Sequence, residues 1–161
     1  MKIFITGESG VGKTTIIEEI SKILLKKGFK ISGFITKEIR EKGVRVGFKI
    51  IDLNRNIEMI FASKLIETDV KFGSYYLNIK NLEETLKEIL KKDFDFLIID
   101  EIGKMEFYST FFKEKIFDLM KSDKKIISVL HRNFVEDFKI YGKIFILNRN
   151  NKEFIKNEIL K

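Results

Sequence analysis

The stretch Gly7-Glu8-Ser9-Gly10-Val11-Gly12-Lys13-Thr14 constrains this chain more than any other, because it matches the pattern G-x-x-x-x-G-K-[ST]. Ile3, Phe4 and Ile5 before it form a short apolar run, and Ile16, Ile17, Ile20, Ile23 and Leu24 after it recur at helical spacing. The loop therefore joins a buried strand to a helix. Glycines at 7, 10 and 12 let backbone N–H groups curl around a phosphate chain more closely than a Cβ would permit. The helix that follows directs its positive end at the same place. In such a loop, whose backbone includes Ser9 and Val11, Lys13 reaches the β- and γ-phosphates as a point charge. The Thr14 hydroxyl is suited to ligating Mg²⁺, and Thr15 stands near the α-phosphate. Glu8 runs against this pattern: an acid facing phosphates would repel them, so its side chain is expected to turn to solvent or to a lysine.

A chain of 161 residues, 44% of them hydrophobic, suffices for one domain over residues 1–161 that buries roughly 70% of its unfolded surface. Its apolar runs fall far short of the roughly 20 residues a membrane helix needs. The first strand starts directly after Met1, which leaves no room for a signal peptide, so a cytoplasmic protein is expected. The absence of Cys fits a reducing compartment.

After the first helix, Lys26-Lys27-Gly28 reads as a C-terminal stop. The runs 33–40 and 44–51 alternate about the turn Glu41-Lys42-Gly43, and a second turn at Asn54-Arg55-Asn56 leads to Ile57–Phe61. Residues of about 30–62 thus form an antiparallel β-meander inserted into a strand–helix–strand unit. Residues 63–74 read as a loop. Tyr75–Ile79 is a candidate short strand, and Asn81 is expected to cap a helix over Leu82, Leu86, Ile89 and Leu90.

A second chemical element is Phe94-Asp95-Phe96-Leu97-Ile98-Ile99-Asp100-Glu101, a near-continuous apolar run that ends in two acids. A central strand of a parallel sheet looks like this when it delivers a carboxylate to the ligand edge. Asp100 is then a metal-site partner for Thr14, and Glu101 a group that orients or deprotonates an attacking water. Lys125–Leu130 is a further strand with His131 and Arg132 at its end. Arg132 is a candidate to stabilise a transferring γ-phosphate, with Arg40 and Arg45 on the hairpin as rivals. Asn148-Arg149-Asn150-Asn151 follows the strand 144–147 and is close to Asn-Lys-x-Asp, with Asn in place of the acid that would pair with guanine. Contact of Asn148 with a base, and stacking of Arg149 on it, would therefore be less selective.

Asp100-Glu101-Ile102-Gly103-Lys104-Met105-Glu106 resembles the DEIG-x-ME signature of the THEP1 family of nucleoside-triphosphatases, with Lys104 where many members have Pro. The resemblance extends to Gly33-Phe34-Ile35-Thr36-Lys37-Glu38-Ile39-Arg40, to Arg45-Val46-Gly47-Phe48, to His131-Arg132 and to Asn148-Arg149, in the family's order. It implies Mg²⁺-dependent hydrolysis of ATP, GTP and other nucleoside triphosphates to diphosphates with loose base preference. Met105 is expected to pack, and Glu106 to support the site or to start a helix.

The expected architecture is a three-layer α/β P-loop domain whose mostly parallel sheet is extended by the antiparallel meander. Two rival readings stay open: a nucleotide or small-molecule kinase built on the same loop, and a nucleotide-dependent module that binds nucleic acid or a protein partner. A net charge of +7 and a pI near 9.4 permit a polyanionic partner. The lysines are scattered rather than gathered in one tract, which favours a solvated surface over a nucleic-acid track. A monomer is the expected state.

Overall fold

Nine strands and five helices alternate along the chain in a computed structural model that describes all of residues 1–161. The strands are β1 (Lys2–Gly7), β2 (Ile31–Glu41), β3 (Val44–Asp52), β4 (Glu58–Ser63), β5 (Val70–Phe72), β6 (Tyr75–Leu77), β7 (Phe96–Ile102), β8 (Ile126–Leu130) and β9 (Lys143–Leu147). The helices are α1 (Lys13–Lys26), α2 (Ile79–Lys91), α3 (Thr110–Met120), α4 (Val135–Phe138) and α5 (Lys152–Ile159). Single 3-10 turns at Glu106–Tyr108 and Arg132–Phe134 lead into α3 and α4.

All nine strands form one sheet in the order β5-β6-β4-β3-β2-β7-β8-β1-β9. Strands β2, β7, β8, β1 and β9 are mutually parallel, and β3, β4, β6 and β5 continue the sheet in antiparallel fashion. Every residue of β8 is buried, because helices cover both faces of the parallel half, and its sequence is accordingly almost uninterrupted in apolar side chains. One apolar layer joins that half to Ile16, Ile17 and Ile20 of α1 and to Ile155 and Ile159 of α5. The other joins it to Leu82, Leu86 and Ile89 of α2, to Phe112 and Ile116 of α3, and to Phe138 of α4. The result is the three-layer α/β P-loop arrangement expected from the strand–loop–helix pattern.

Three local expectations change. Residues 63–74 are not simply a loop: Val70–Phe72 forms β5 and pairs with β6 around the turn at Gly73, whose φ is +58°. This carries the antiparallel extension as far as Leu77. Strands of three residues are too short for an alternating pattern to mark them. The cap of α2 is Asn78, whose side chain accepts from the Asn81 N–H at 3.0 Å, not Asn81 itself. Asn81 instead donates its amide to the Ile60 carbonyl and ties α2 to β4. Phe134–Ile140, between the strands 125–130 and 144–147, reads in the sequence as a short helix, and only Val135–Phe138 forms one, α4, entered through its 3-10 turn.

Candidate active site

The C-terminal ends of β1, β7 and β8 and the outer half of β2 surround an open cleft of about 750 Å³. Ligands of open α/β sheets bind at this edge because loops and helix N-termini converge there. The glycine loop forms its floor. Gly10 and Gly12 have φ of +77° and +105°, left-handed conformations in which a side chain would be strained, and Gly12 leads directly into α1. No side chain caps α1 and no acid stands in its first turn, so its first N–H groups and its positive end face the cleft unneutralised.

Gly7, Ser9, Gly10, Gly12, Lys13, Thr14 and Thr15 all line this space. Lys13 Nζ donates to the Gly7 carbonyl at 2.6 Å, folded over its own loop. Glu8 is exposed and outside the lining, consistent with an acid that turns away from phosphates. Val11 is also outside it, packed against the α1 apolar layer.

Opposite the loop, the Thr14 hydroxyl donates to Asp100 Oδ2 at 2.7 Å. Asp100 is buried and is held from a second side by Thr36 of β2, whose N–H faces Oδ2 at 3.4 Å and whose hydroxyl donates to the Asp100 carbonyl. Burial pushes the Asp100 carboxyl up to about 7, opposed by the Thr14 hydrogen bond. Glu101 is the extra residue in a bulge: Asp100 pairs with Val129, and the next pair is Ile102 with Leu130. Bulges re-aim side chains beside active sites, and here both Asp100 and Glu101 line the cleft although they are adjacent in the strand. Burial raises the Glu101 carboxyl too, against the pull of Lys13.

His131 and Arg132 complete the wall from the end of β8. His131 Nδ1 accepts the Asn133 N–H at 3.1 Å, so the neutral ring carries its proton on Nε2. Burial, followed by the charges of Lys104, Lys13 and Arg132, lowers its pKa and keeps it neutral. The two rival arginines also reach the cleft, but both are committed to Glu38. Arg40 pairs with it at 2.7 Å, and Arg45 contacts it at 3.4 Å while donating to the Tyr75 hydroxyl and lying over the Phe48 ring. Arg132 stands exposed at the cleft wall.

Asn148 and Arg149 are not among the residues brought into the cleft. Their loop begins beside Gly7, which is in register with Leu147, and it is closed on itself: Asn148 Oδ1 accepts the Asn150 N–H and Asn151 Oδ1 accepts the Asn148 N–H, each at 2.8 Å. Two residues that sequence reasoning left without a defined role do belong to the cleft. Thr36 lies inside the GFITKEIR stretch, but its grip on Asp100 depends on the β2–β7 pairing. Glu106 ends the DEIGKME stretch and is buried, at 3% exposure. Met105 packs against the α3 layer as expected and also lines the cleft.

A family model described as NTPase matches residues 2–160. The nucleoside-triphosphatase THEP1 of Methanocaldococcus jannaschii is 47% identical over 163 residues, an overlap of 99% of this chain and 95% of that protein. The crystal structure of THEP1 from the hyperthermophile Aquifex aeolicus superposes with a TM-score of 0.81 at 32% identity, covering 99% of this chain and 96% of that one. The solution structure of a human cancer-related nucleoside triphosphatase superposes at 0.78 and 25% identity, covering 99% and 95%.

Proposed function

The chain belongs to the THEP1 family of nucleoside-triphosphatases, and on that premise we propose that it hydrolyses the β–γ phosphoanhydride of ATP, GTP and other nucleoside triphosphates with Mg²⁺. The observation that carries this reading is the meeting of the uncapped α1 N-terminus with the Thr14–Asp100 pair and Glu101 in one cleft.

Backbone N–H groups of residues 7–14 hold the phosphate chain, and Lys13 swings from the Gly7 carbonyl to the β- and γ-phosphates. Thr14 Oγ1 and Asp100 Oδ2 are hard oxygen donors 2.7 Å apart, which fits Mg²⁺. No cluster of three or more His, Cys, Asp or Glu side chains is arranged as a cage, which suits an ion that keeps waters and takes substrate oxygens. When bound, Mg²⁺ offsets charge on the phosphate oxygens. Glu101 orients the attacking water and accepts its proton as the new O–P bond forms and the bond from γ-phosphorus to the bridging oxygen breaks; the products are a nucleoside diphosphate and inorganic phosphate. Its raised pKa makes it a better base than an exposed carboxylate. Arg132 stabilises charge on the transferring group. Loose base preference is supported by the 148–151 loop, where the Asn148 oxygen is occupied by its own backbone and Arg149 offers only a flat cation for stacking. We take residues 1–161 to act as one domain, as a cytoplasmic monomer. No helix is long and apolar enough to cross a membrane.

Release of free phosphate from the four common nucleoside triphosphates, measured for wild type and Glu101→Gln with and without an added nucleoside, tests the reading. Wild type is expected to release phosphate from all four. The variant should lose about 100-fold or more in kcat, the scale of a positioned general base. An unchanged variant refutes the role of Glu101, and phosphate recovered on the nucleoside instead of in water would indicate a kinase.

A further inference from the structure

The end of the cleft formed by the β2–β3 hairpin carries charge that the hydrolysis scheme leaves unused. The two strands pair residue against residue from Phe34 with Asp52 to Ile39 with Gly47, and the next pair is Arg40 with Arg45. Val46 is therefore the extra residue of a bulge. Without it Arg40 would stand opposite Val46, and Arg45 would project from the other face of the sheet. The bulge instead sets two arginines directly opposite each other, next to the pair of Glu38 with Phe48, and all four residues line the cleft. Like charges in that relation destabilise a sheet, and bulges beside active sites serve to re-aim side chains.

That charge is not cancelled. Glu38 is the one acid that meets either arginine: Oε2 accepts from Arg40 Nε at 2.9 Å and lies 2.7 Å from its Nη2, while Oε1 accepts from Arg45 Nη1 at only 3.4 Å. The other partners are neutral. Arg40 Nη1 donates to the Gly43 carbonyl at 2.9 Å, Arg45 Nε donates to the Tyr75 hydroxyl at 2.9 Å, and the Arg45 guanidinium lies over the Phe48 ring at 5.1 Å. These contacts hold both side chains in place without neutralising them. Lys37, on the same strand, has its own acid in Glu18 at 3.2 Å. Two guanidiniums thus share one carboxylate, and one positive charge is left over. All three side chains are in contact with water, where ion pairs are held weakly.

We propose that this end of the cleft is a second anion site, in which Arg40 and Arg45 together bind the phosphate group of a molecule other than the triphosphate on the glycine loop, the phosphate taking the place of the Glu38 carboxylate. Both guanidiniums already touch one carboxylate, so one small anion in its position reaches both. Free phosphate and phosphate monoesters carry close to two negative charges near neutral pH, which match the two cations, and they offer more oxygens to the two forks than a carboxylate does. The site does not depend on which group orients the attacking water.

Phosphorus NMR titrations of inorganic phosphate and, separately, of a nucleoside monophosphate test this. Each is added to wild type saturated with Mg²⁺ and a non-hydrolysable nucleoside triphosphate, and to Lys13→Ala without nucleotide, so that the glycine loop is filled in one protein and weakened in the other. Both proteins are expected to bind the added ligand. Arg40→Gln and Arg45→Gln, each made in both chains, should weaken that binding about tenfold, the scale of losing one charge-assisted contact. Glu38→Gln should tighten it by removing the competing carboxylate. Thermal melts confirm that each variant is folded, and either arginine change alone decides the matter if the other chain does not fold. Free phosphate bound at least as tightly as the monophosphate identifies free phosphate as the occupant, and tighter binding of the monophosphate identifies a monoester. No binding to the saturated wild type would show that the triphosphate itself takes both arginines and would overturn the proposal. So would binding that the arginine changes leave as tight as before, or that Glu38→Gln weakens.

Discussion

Asp100 meets two opposing demands. It is buried between Thr14 and Thr36, and on the proposed reading it must be ionised to hold Mg²⁺. Burial lifts its carboxyl from an ordinary 3.8 to about 7. A carboxyl raised in the folded state binds its proton more tightly than in the unfolded chain, so it costs nothing below the ordinary value and destabilises progressively as pH rises between the two. Asn at this position has no charge to bury. Asp100→Asn is therefore expected to match wild type in stability near pH 4 and to become the more stable protein by about pH 7, by on the order of a few kcal/mol. Thermal melts of the two proteins without nucleotide across pH 4–8 check this, because the difference between them isolates the one group. The variant should be catalytically defective while being more stable, as expected where a site is built at the expense of the fold. A gap that is constant with pH would show that Asp100 is ionised throughout.

At the level of elements, the boundary between what the sequence discloses and what it conceals follows the range of the interactions. The glycine loop, the apolar strands β1, β7 and β8 and the hairpin β2–β3 are legible because their causes are local. Lys42 and Gly43 both have positive φ, the two-residue turn that matches the twist of paired strands. The three-residue strand β5, the hold of Thr36 on Asp100 and the burial of Glu106 depend on contacts far along the chain. Phe72 of β5 meets the Tyr108 ring edge-on at 5.6 Å, for example, and no local pattern announces that contact. The order of the nine strands is of the same kind.

Gly33 shows the long-range type of cause. Its φ is +146°, it is in register with Ile98, and a Cβ there would collide with the Ile98 backbone. Gly33→Ala must push β2 from β7 and move Thr36, three residues on, away from Asp100. A loss of about 3 kcal/mol, or roughly 10 °C in Tm, is expected together with lower activity. Gly43→Ala has open space and should cost only about 1–2 kcal/mol for its left-handed backbone. Equal melting temperatures for the two variants would show that the β2–β7 contact at Gly33 yields easily.

For the molecule as a whole, the sheet order matters because it places β2, β7, β8 and β1 side by side, so that Thr36, Asp100, Arg132 and the glycine loop line one cleft despite their separation in sequence. A triphosphate that touches all four connections ties them together, and it binds the folded chain alone. At 100 times its Kd such a ligand stabilises by about 2.7 kcal/mol. For a chain of this length that is about 5–10 °C in Tm. A non-hydrolysable nucleoside triphosphate with Mg²⁺ should produce that shift in wild type and lose most of it in Lys13→Ala. The net charge of +7 offers a competing account in which any polyanion binds. Against it, many of the lysines are already paired: Lys152 and Lys156 with Glu19 across α5 and α1, Lys37 with Glu18, and Lys49 with Glu58. Single-stranded DNA at about 0.15 M salt, where exposed charges are screened beyond about 8 Å, is accordingly expected to leave both Tm and the hydrolysis rate unchanged. A DNA-dependent shift that survives in Lys13→Ala would place a second polyanion site elsewhere on the surface.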